Sequence, residues 1–438
     1  MSLAGGNNTF MNDSLLDRRY RVMGRGAPLF YDEPLHIVQG ASVWLYDVQG
    51  RRYLDAYNNV PVVGHCHPRV VEAIARQASV LNVHTRYLHD AVVGYAERLT
   101  ATFDGLDMVL FTCTGSEAND VALRMARLLT GAEGVICTSN TYHGNTASVD
   151  ELSTTFRDGR TGAARVFSVP FPDTYRPAFD LSGEALTNAY VDQVKAGIEH
   201  FQRSGIGMAA LLVCPIFANE GLPDVPAGFL DRVTRLVREA GGLVIFDEVQ
   251  SGFGRTGQMW GHTRAGVSPD IVTLGKPMGN GYPIGGVISS ASIINAFRDR
   301  VMYFNTFSGN PVASAAALAV LDVIEDECLL ERVRAVAPGV TQGLQSLMTV
   351  HEGIGDVRGQ GLFWAVELVK DRAARTPDSA RAKSVVNRMR EHGVLISRLG
   401  RHDNVLKIRP PLPFDASHSA LLLEVLDRSL TESRHART

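Results

Sequence analysis

The chain has 438 residues, 45% hydrophobic and 20% charged, the balance of a folded globular protein long enough for two domains. Its 43 basic and 46 acidic side chains leave a formal net charge of -3, which offers no basic surface to nucleic acid or to an anionic membrane. Five scattered cysteines without a C-x-x-C pair, and no basic-then-apolar leader, fit a soluble cytoplasmic protein and not a disulfide framework.

In chain order, residues 36–56 carry a two-stranded pattern around Asp47-Val48-Gln49-Gly50, a hairpin signal. Asp107–Thr112 reads as a strand, followed by an amphipathic helix from about Glu117 to Leu129, with Val121, Met125, Leu128 and Leu129 on one face. Gly134–Thr138, Met208–Cys214, Gly242–Phe246 and Ile271–Leu274 are continuously apolar, as buried strands of a parallel sheet are. A helix from Gly228 to Ala240 leads through Gly241-Gly242 into the strand ending at Asp247, one βαβ step. After about residue 330 come a polar helix, a strand (Gly361–Glu367), a helix (Ala380–His392) and a strand near Val405–Arg409. The pattern predicts an α/β fold: a large domain over 76–328 with a mainly parallel central sheet flanked by helices, and a small α+β domain assembled from 1–75 and 329–438.

Chemistry concentrates at the strand ends. Thr114 and Glu117 have capping-box spacing, so Gly115-Ser116 would present free N–H groups and a hydroxyl at a helix start, a setting for phosphate. An ordinary capped turn would read the same. Asp247-Glu248 closes an apolar strand, where ligands of open α/β sheets bind, although an acid there also serves as a helix cap. Gly252–Gly257 is a formal G-x-G-x-x-G, which raises a dinucleotide-binding oxidoreductase as a competitor. No apolar helix follows it, however, and no acid ends a second strand about twenty residues on.

Only five of the 43 basic residues are lysine: Lys195, Lys276, Lys370, Lys383 and Lys407. Lys195, Lys370 and Lys383 lie among polar neighbours and read as solvated. Lys276 ends an apolar strand before the Gly-rich run Pro277–Gly281, a place where part-desolvation would lower its pKa and free the amine for Schiff-base chemistry. His65-Cys66-His67 offers donors without a signposted fourth ligand, so no metal is expected.

In combination, TGSEAN (114–119), YHG (142–144), DEVQSGFGRTG (247–257), LGKPMGNGYP (274–283) and NTFSGNP (305–311) resemble the class III (ω-type) aminotransferases, pyridoxal 5'-phosphate (PLP) enzymes of fold type I. The resemblance runs from about Leu35 to Val425. It implies that Lys276 holds PLP through a Schiff base and moves the proton, and that Asp247 pairs with the pyridine nitrogen. It also implies that Gly115 and Ser116 hold the cofactor phosphate, with Thr306 reaching it from a neighbouring subunit. Tyr142 and Val249 would cover the two ring faces, and His143 belongs to the same cofactor set. A homodimer with active sites at the subunit interface follows, with a tetramer as the larger alternative.

Two departures bear on the substrate. Where family members carry a carboxylate-gripping arginine, Lys407 stands in Lys407-Ile408-Arg409-Pro410-Pro411, and an acid that gates it in some members is replaced by Asn219. Lysine cannot copy the bidentate arginine fork. Drift at a tolerant position, or Arg409 taking over the grip, remains the simpler account. The chain is most similar to the subgroup of ethanolamine-phosphate and phosphohydroxylysine phospho-lyases, on Asn58-Asn59-Val60, Val63–Pro68, Arg86–Asp90 and Tyr303–Thr306. That resemblance implies a small phosphorylated amine or amino acid as substrate, eliminated through a Schiff base and a carbanion, with Arg86, Lys407, Arg409 and Asn58 as candidate substrate contacts. The alternative is amino transfer to a keto acid such as pyruvate or glyoxylate.

Overall fold

The computed structural model describes residues 14–156 and 164–435. The chain divides into two compact units, the second beginning at Ile37. In the first, Leu15–Met23 is a helix capped by Ser14, whose side chain accepts the N–H of Asp17. Everything below concerns the second unit.

A seven-stranded sheet forms its centre, in the order Met108–Thr112, Gly285–Ser289, Ile271–Leu274, Leu243–Asp247, Met208–Val213, Gly134–Thr138, Val166–Val169. The pairings among the last five are parallel. Gly285–Ser289 runs antiparallel to both of its neighbours. Every residue of Met208–Val213 and Gly134–Thr138 is buried, because helices cover both faces and continuous apolar runs are what such strands need. One face packs with Tyr190, Phe201, Phe229 and Phe246, the other with Val121, Met125 and Phe297. Phe246 is fully buried, and truncating it to alanine would cost about 3–5 kcal/mol.

Two further sheets use the chain ends. The expected hairpin around Asp47–Gly50 joins Trp44–Asp47 to Arg52–Asp55, Ile37–Ala41 adds a third antiparallel strand, and Val394–Leu395 joins in parallel beside Arg52–Asp55. Ile354–Gln360, Phe363–Asp371, Val405–Ile408 and Ser397–Leu399 make an antiparallel sheet, with Thr376–Pro377 paired at Phe363–Asp371. The helix expected to be polar after residue 330 spans Leu329–Val350 and buries Leu329, Val333, Val340 and Leu344.

Val166–Val169, Gly285–Ser289 and Ile354–Gln360 escape the sequence reading, as do the short strands Thr376–Pro377, Val394–Leu395 and Ser397–Leu399. Gly285-Gly286 hides the second, since glycine weakens a strand signal. A side chain at Gly285 would sit 2.6 Å from Thr112 Oγ1, so the close pairing itself requires glycine.

Candidate active site

The carboxyl ends of the central strands open into a cavity of about 360 Å³, large enough for a small cofactor. Each strand delivers residues to it: Cys113 to Ser116, Tyr142 to Gly144, Cys214 and Asn219, Asp247 to Gln250 except Glu248, and Lys276. This is where open α/β sheets place their ligands.

Thr114 caps the helix Gly115–Thr130, its hydroxyl accepting the Glu117 N–H at 3.1 Å. The reciprocal bond of the expected capping box shifts by one residue, since Glu117 Oε2 accepts from Cys113 N at 2.6 Å. The helix start at Gly115-Ser116 lines the cavity and suits a phosphate, through free N–H groups and the positive end of the helix dipole. Glycines keep this end open. A Cβ on Gly115 would lie 2.9 Å from Val249 Cγ2, one on Gly275 2.9 Å from Gly115 N, and one on Gly144 2.5 Å from Ser116 Oγ.

Lys276 follows the strand Ile271–Leu274 and starts a short 3-10 turn at φ +32°, a left-handed backbone that ordinary residues adopt only under constraint. Its side chain stands in the cavity, accessible from it, yet dense protein surrounds it on the other sides. Burial therefore drives the amine below the ordinary lysine range, more than Asp247's charge restores. Asp247 is the best-satisfied charge in the site. Oδ2 receives His143 Nδ1 at 2.7 Å and Asn119 Nδ2 at 3.0 Å, and Oδ1 receives Val249 N at 3.0 Å. Burial would raise its pKa, but the His143 bond and the nearby positive charges bring it below the ordinary carboxylate value. Asn119 is in turn fixed by Thr273 Oγ1 at 2.6 Å and donates to the His143 carbonyl. Glu248 turns away from the cavity, accepting from Ser251, from the N–H groups of Gly261 and His262, and pairing with His262 Nδ1.

On the opposite wall, Gln250 joins two elements. Its Oε1 accepts from Lys407 Nζ at 3.1 Å and from Arg409, and its Nε2 donates to Asn219 Oδ1 at 2.8 Å. Asn219 donates to the Tyr142 carbonyl at 2.9 Å. Lys407 and Arg409 are 7% and 4% exposed, and among the described residues neither forms an ion pair with a carboxylate. Burial pushes Lys407 well below the ordinary lysine range, with the Arg409 and Lys276 charges adding to it, and brings Arg409 down to about 10.

The structure thus gathers Gly115, Ser116, Tyr142, His143, Asp247, Val249 and Lys276 around one cavity, with Lys407 and Arg409 directly behind Gln250. The other sequence candidates lie apart from it within the chain. Thr306 is exposed, Arg86 is exposed with its guanidinium 3.9 Å from the Phe304 ring centre, and the Asn58 amide is held by Asp55 at 2.9 Å. His65 pairs with Asp55 and His67 with Glu327, so the two histidines face different partners.

Sequence reasoning missed Asn119, Gln250 and Arg255. The last is fully buried and donates to Asn59 Oδ1 and to the Leu362 and Pro410 carbonyls, which makes the glycine-rich run a strut rather than a nucleotide loop. Its signal was the position of an arginine between glycines, which spacing alone could not assign.

A fold of this kind, with a lysine and a satisfied aspartate facing a helix-capped phosphate cradle, defines a PLP enzyme of fold type I. Residues 30–430 match the family model "Aminotransferase class-III", and the chain belongs to that family, with pyridoxal phosphate as its cofactor. It is 39% identical over 436 residues to "Ethanolamine-phosphate phospho-lyase homolog 1" of Caenorhabditis elegans, covering 96% of this chain and 93% of the relative. It is also 39% identical over 434 residues to "Alanine--glyoxylate aminotransferase 2 homolog 2, mitochondrial" of Arabidopsis thaliana, covering 96% and 88%. Among solved structures, a phospholyase from Arthrobacter in complex with phosphoethanolamine superposes with a TM-score of 0.93 at 45% identity, over 95% of this chain and 99% of that one. No helix among the described residues is long and apolar enough to cross a membrane.

Proposed function

We propose that the chain is a PLP-dependent phospho-lyase that eliminates phosphate and ammonia from a small phosphorylated amine such as O-phosphoethanolamine. Acetaldehyde is the carbon product, with water supplying its oxygen. The observation that carries this reading is the wall of Lys407 and Arg409, two buried basic groups that share one neutral oxygen of Gln250 and, among the described residues, form no ion pair with a carboxylate. The Glu220 and Asp55 charges act on them only without contact. Buried basic groups without an ion-pair partner are costly, and a dianionic ligand relieves both at once. The likeness to a phospho-lyase and to a phosphoethanolamine-bound phospholyase supports the same choice. The alanine–glyoxylate relative, equally identical, favours the second reading, amino transfer to a keto acid with Arg409 as the carboxylate grip.

Pyridoxal phosphate, when bound, supplies the electron sink that lets a C–H bond beside the amine nitrogen ionise. Gly115 and Ser116 would hold its phosphate, Tyr142 and Val249 would flank its ring, and Asp247, braced by His143, would serve the pyridine nitrogen. Lys276, whose amine burial draws below the ordinary lysine range, is the base that takes the proton from that carbon. Lys407 and Arg409 take the substrate phosphate as its C–O bond breaks. Arg86 and Asn58 stay candidate substrate contacts although neither lines the cavity of a single chain.

We further propose a homodimer as the smallest active unit, with Thr306 acting in the neighbouring subunit's site and a tetramer as the larger alternative. Exposed Leu88 (98%), Met302 (87%) and Phe307 (71%) beside Thr306 and Arg86 support an apolar subunit face there. The further division of residues from Ile37 onward at 75/76 and 328/329 is supported by the sharing of one sheet between 37–55 and 394–395. Five free cysteines favour a reducing, cytoplasmic compartment.

The deciding assay incubates the holoenzyme with O-phosphoethanolamine and no keto acid. Released inorganic phosphate is the expected result. Amino transfer to pyruvate without phosphate release overturns the reading, as does full phospho-lyase activity in the Arg86→Ala, Lys407→Ala double variant.

A further inference from the structure

Asn219 and Gln250 both line the cavity, yet the reaction above gives neither of them a chemical step. Gln250 is 9% exposed and Asn219 is half-buried. Together they form a line of two amides between the Tyr142 carbonyl and the basic pair Lys407 and Arg409. The line starts beyond the strand Gly134–Thr138, passes the ends of Met208–Val213 and Leu243–Asp247, and finishes on Val405–Ile408 and the residue after it.

Its polarity is fixed at both ends. The Tyr142 carbonyl can only accept, so the Asn219 group that meets it, at 2.9 Å, is the NH2. Asn219 Oδ1 is then left for Gln250, and it accepts from Gln250 Nε2 at 2.8 Å. Gln250 Oε1 in turn accepts from Lys407 Nζ at 3.1 Å and from Arg409, whose guanidinium can only donate. Turning either amide over would set donor against donor or acceptor against acceptor. Asparagine meets both demands at position 219 without a charge. Aspartate there would put a carboxylate oxygen against the Tyr142 carbonyl, and leucine would leave both neighbours unpaired.

We infer that Asn219 is a specificity-determining positioning residue: through Gln250 it holds Lys407 and Arg409 on one neutral acceptor and so reserves both basic groups for a phosphate dianion. The inference rests on the reading that these two groups meet the substrate phosphate. A charged lysine has three donors, and Lys407 gives one to Gln250. Arg409 has five, of which one goes to Gln250 and two go to the Tyr57 carbonyl. Among the described residues this leaves two donors on each group. The uncharged bridge fixes where the two groups sit and supplies no counter-charge. A phosphate dianion answers both of them, whereas a carboxylate answers one.

The other neighbours of the basic pair do not take over this bridge. The Phe363 ring lies beside both, its centre 5.4 Å from Lys407 Nζ and 5.2 Å from the Arg409 guanidinium carbon, and offers no hydrogen-bonding oxygen. Glu220, next to Asn219 in the chain, gives its Oε1 to the Thr138 hydroxyl at 2.6 Å, and its charge reaches Lys407 without contact. Asp55 acts on Arg409 in the same way, while its carboxylate is bonded to His65 and Asn58. Gln250 is therefore the one side chain among the described residues that hydrogen-bonds to both groups, and Asn219 is what holds its other end.

Calorimetric titration of the holoenzyme with inorganic phosphate and with acetate, at equal ionic strength, tests this beside KM and kcat for O-phosphoethanolamine. The wild type should bind phosphate more tightly than acetate. Asn219→Leu should weaken phosphate binding about 10-fold, the worth of one hydrogen bond to a charged site, and narrow the gap to acetate. KM should rise by the same factor, with a smaller change in kcat. Gln250→Met should do at least as much, and the double variant no more than Gln250→Met alone, because Asn219 acts through Gln250. Asn219→Asp, nearly the same size, carries the test where the apolar variant fails to fold, and it should weaken phosphate binding at least as much. A wild type that does not prefer phosphate, additive losses in the double variant, or wild-type phosphate affinity in Asn219→Leu or Asn219→Asp would overturn the inference. The expected phosphate pattern in an enzyme that releases no phosphate from O-phosphoethanolamine would support the inference and refute the phospho-lyase reading alone.

Discussion

Asp247 and Lys407 are both buried ionisable groups within one cavity wall of each other, and the protein treats them in opposite ways. Asp247 receives three donors, from His143, Asn119 and Val249, and its charge is held below the ordinary carboxylate pKa against the effect of burial. Lys407 has one neutral acceptor, shares it with Arg409, and is pushed well below the lysine range. A buried charge with full hydrogen bonding is ready before any ligand arrives, whereas one without is stabilised only when a counter-charge comes. On the proposed assignment, the cofactor half of the site is therefore preorganised, and the substrate half is left for an anion to complete.

The comparison breaks most sharply at Lys276. Lys276→Ala should lower kcat by about 10²- to 10⁴-fold, because it removes the proton carrier. Phosphate release gives the rate, and borohydride should no longer fix the cofactor to the chain. A smaller loss would mean that the preorganised half is not where the chemistry happens.

Lys407→Met asks whether the other half is built for an anion. Losing a charge-assisted bond to the substrate phosphate is worth about 1.5–3 kcal/mol, or roughly 10- to 100-fold in kcat/KM. The ligand-free protein should become more stable, by about 1 kcal/mol, since a buried basic group without an acid is gone. The sign with pH follows. Lys407 has a lowered pKa when folded, so between that value and the ordinary lysine pKa of about 10.4 the unfolded chain binds more protons and stability rises with pH. In Lys407→Met this rise should flatten, measured as Tm against pH. A Tm that falls instead would make Lys407 a structural residue.

How much of this was readable in advance depends on how local the determinant is. Lys276, Asp247 and Gly115-Ser116 sit at strand ends and a helix start, so short-range patterns located them. The central strands and the hairpin around Asp47–Gly50 were legible for the same reason. Gln250 was not, because its meaning depends on Lys407 and Arg409, separated from it by 157 and 159 residues. Arg255 and Glu220 likewise acquire their roles from distant segments, through Pro410 and Thr138. The sequence departures at Lys407 and Asn219 marked two positions that the structure brings to one wall. They did not reveal that a glutamine amide joins the two positions.

Gln250→Glu sharpens the comparison by giving the substrate wall the acid it lacks. The new carboxylate would accept from Lys407 and Arg409 in place of the amide oxygen, at nearly unchanged size. Tm should rise, and KM for O-phosphoethanolamine should rise about 10-fold, since the substrate phosphate must now displace an internal anion worth a charged hydrogen bond. An unchanged KM would show that these groups do not meet the phosphate.

The smallest effect belongs to the preorganised half. Thr114→Ala removes the cap of Gly115–Thr130 and should cost about 1 kcal/mol of stability by denaturant titration. Glu117 keeps its bond to Cys113 N, so the helix start is loosened rather than lost. PLP affinity should weaken only slightly, while KM for the phosphorylated amine stays unchanged. A KM that moves with this cap would mean that the two halves are mechanically coupled, and that the satisfied wall also sets the shape of the unsatisfied one.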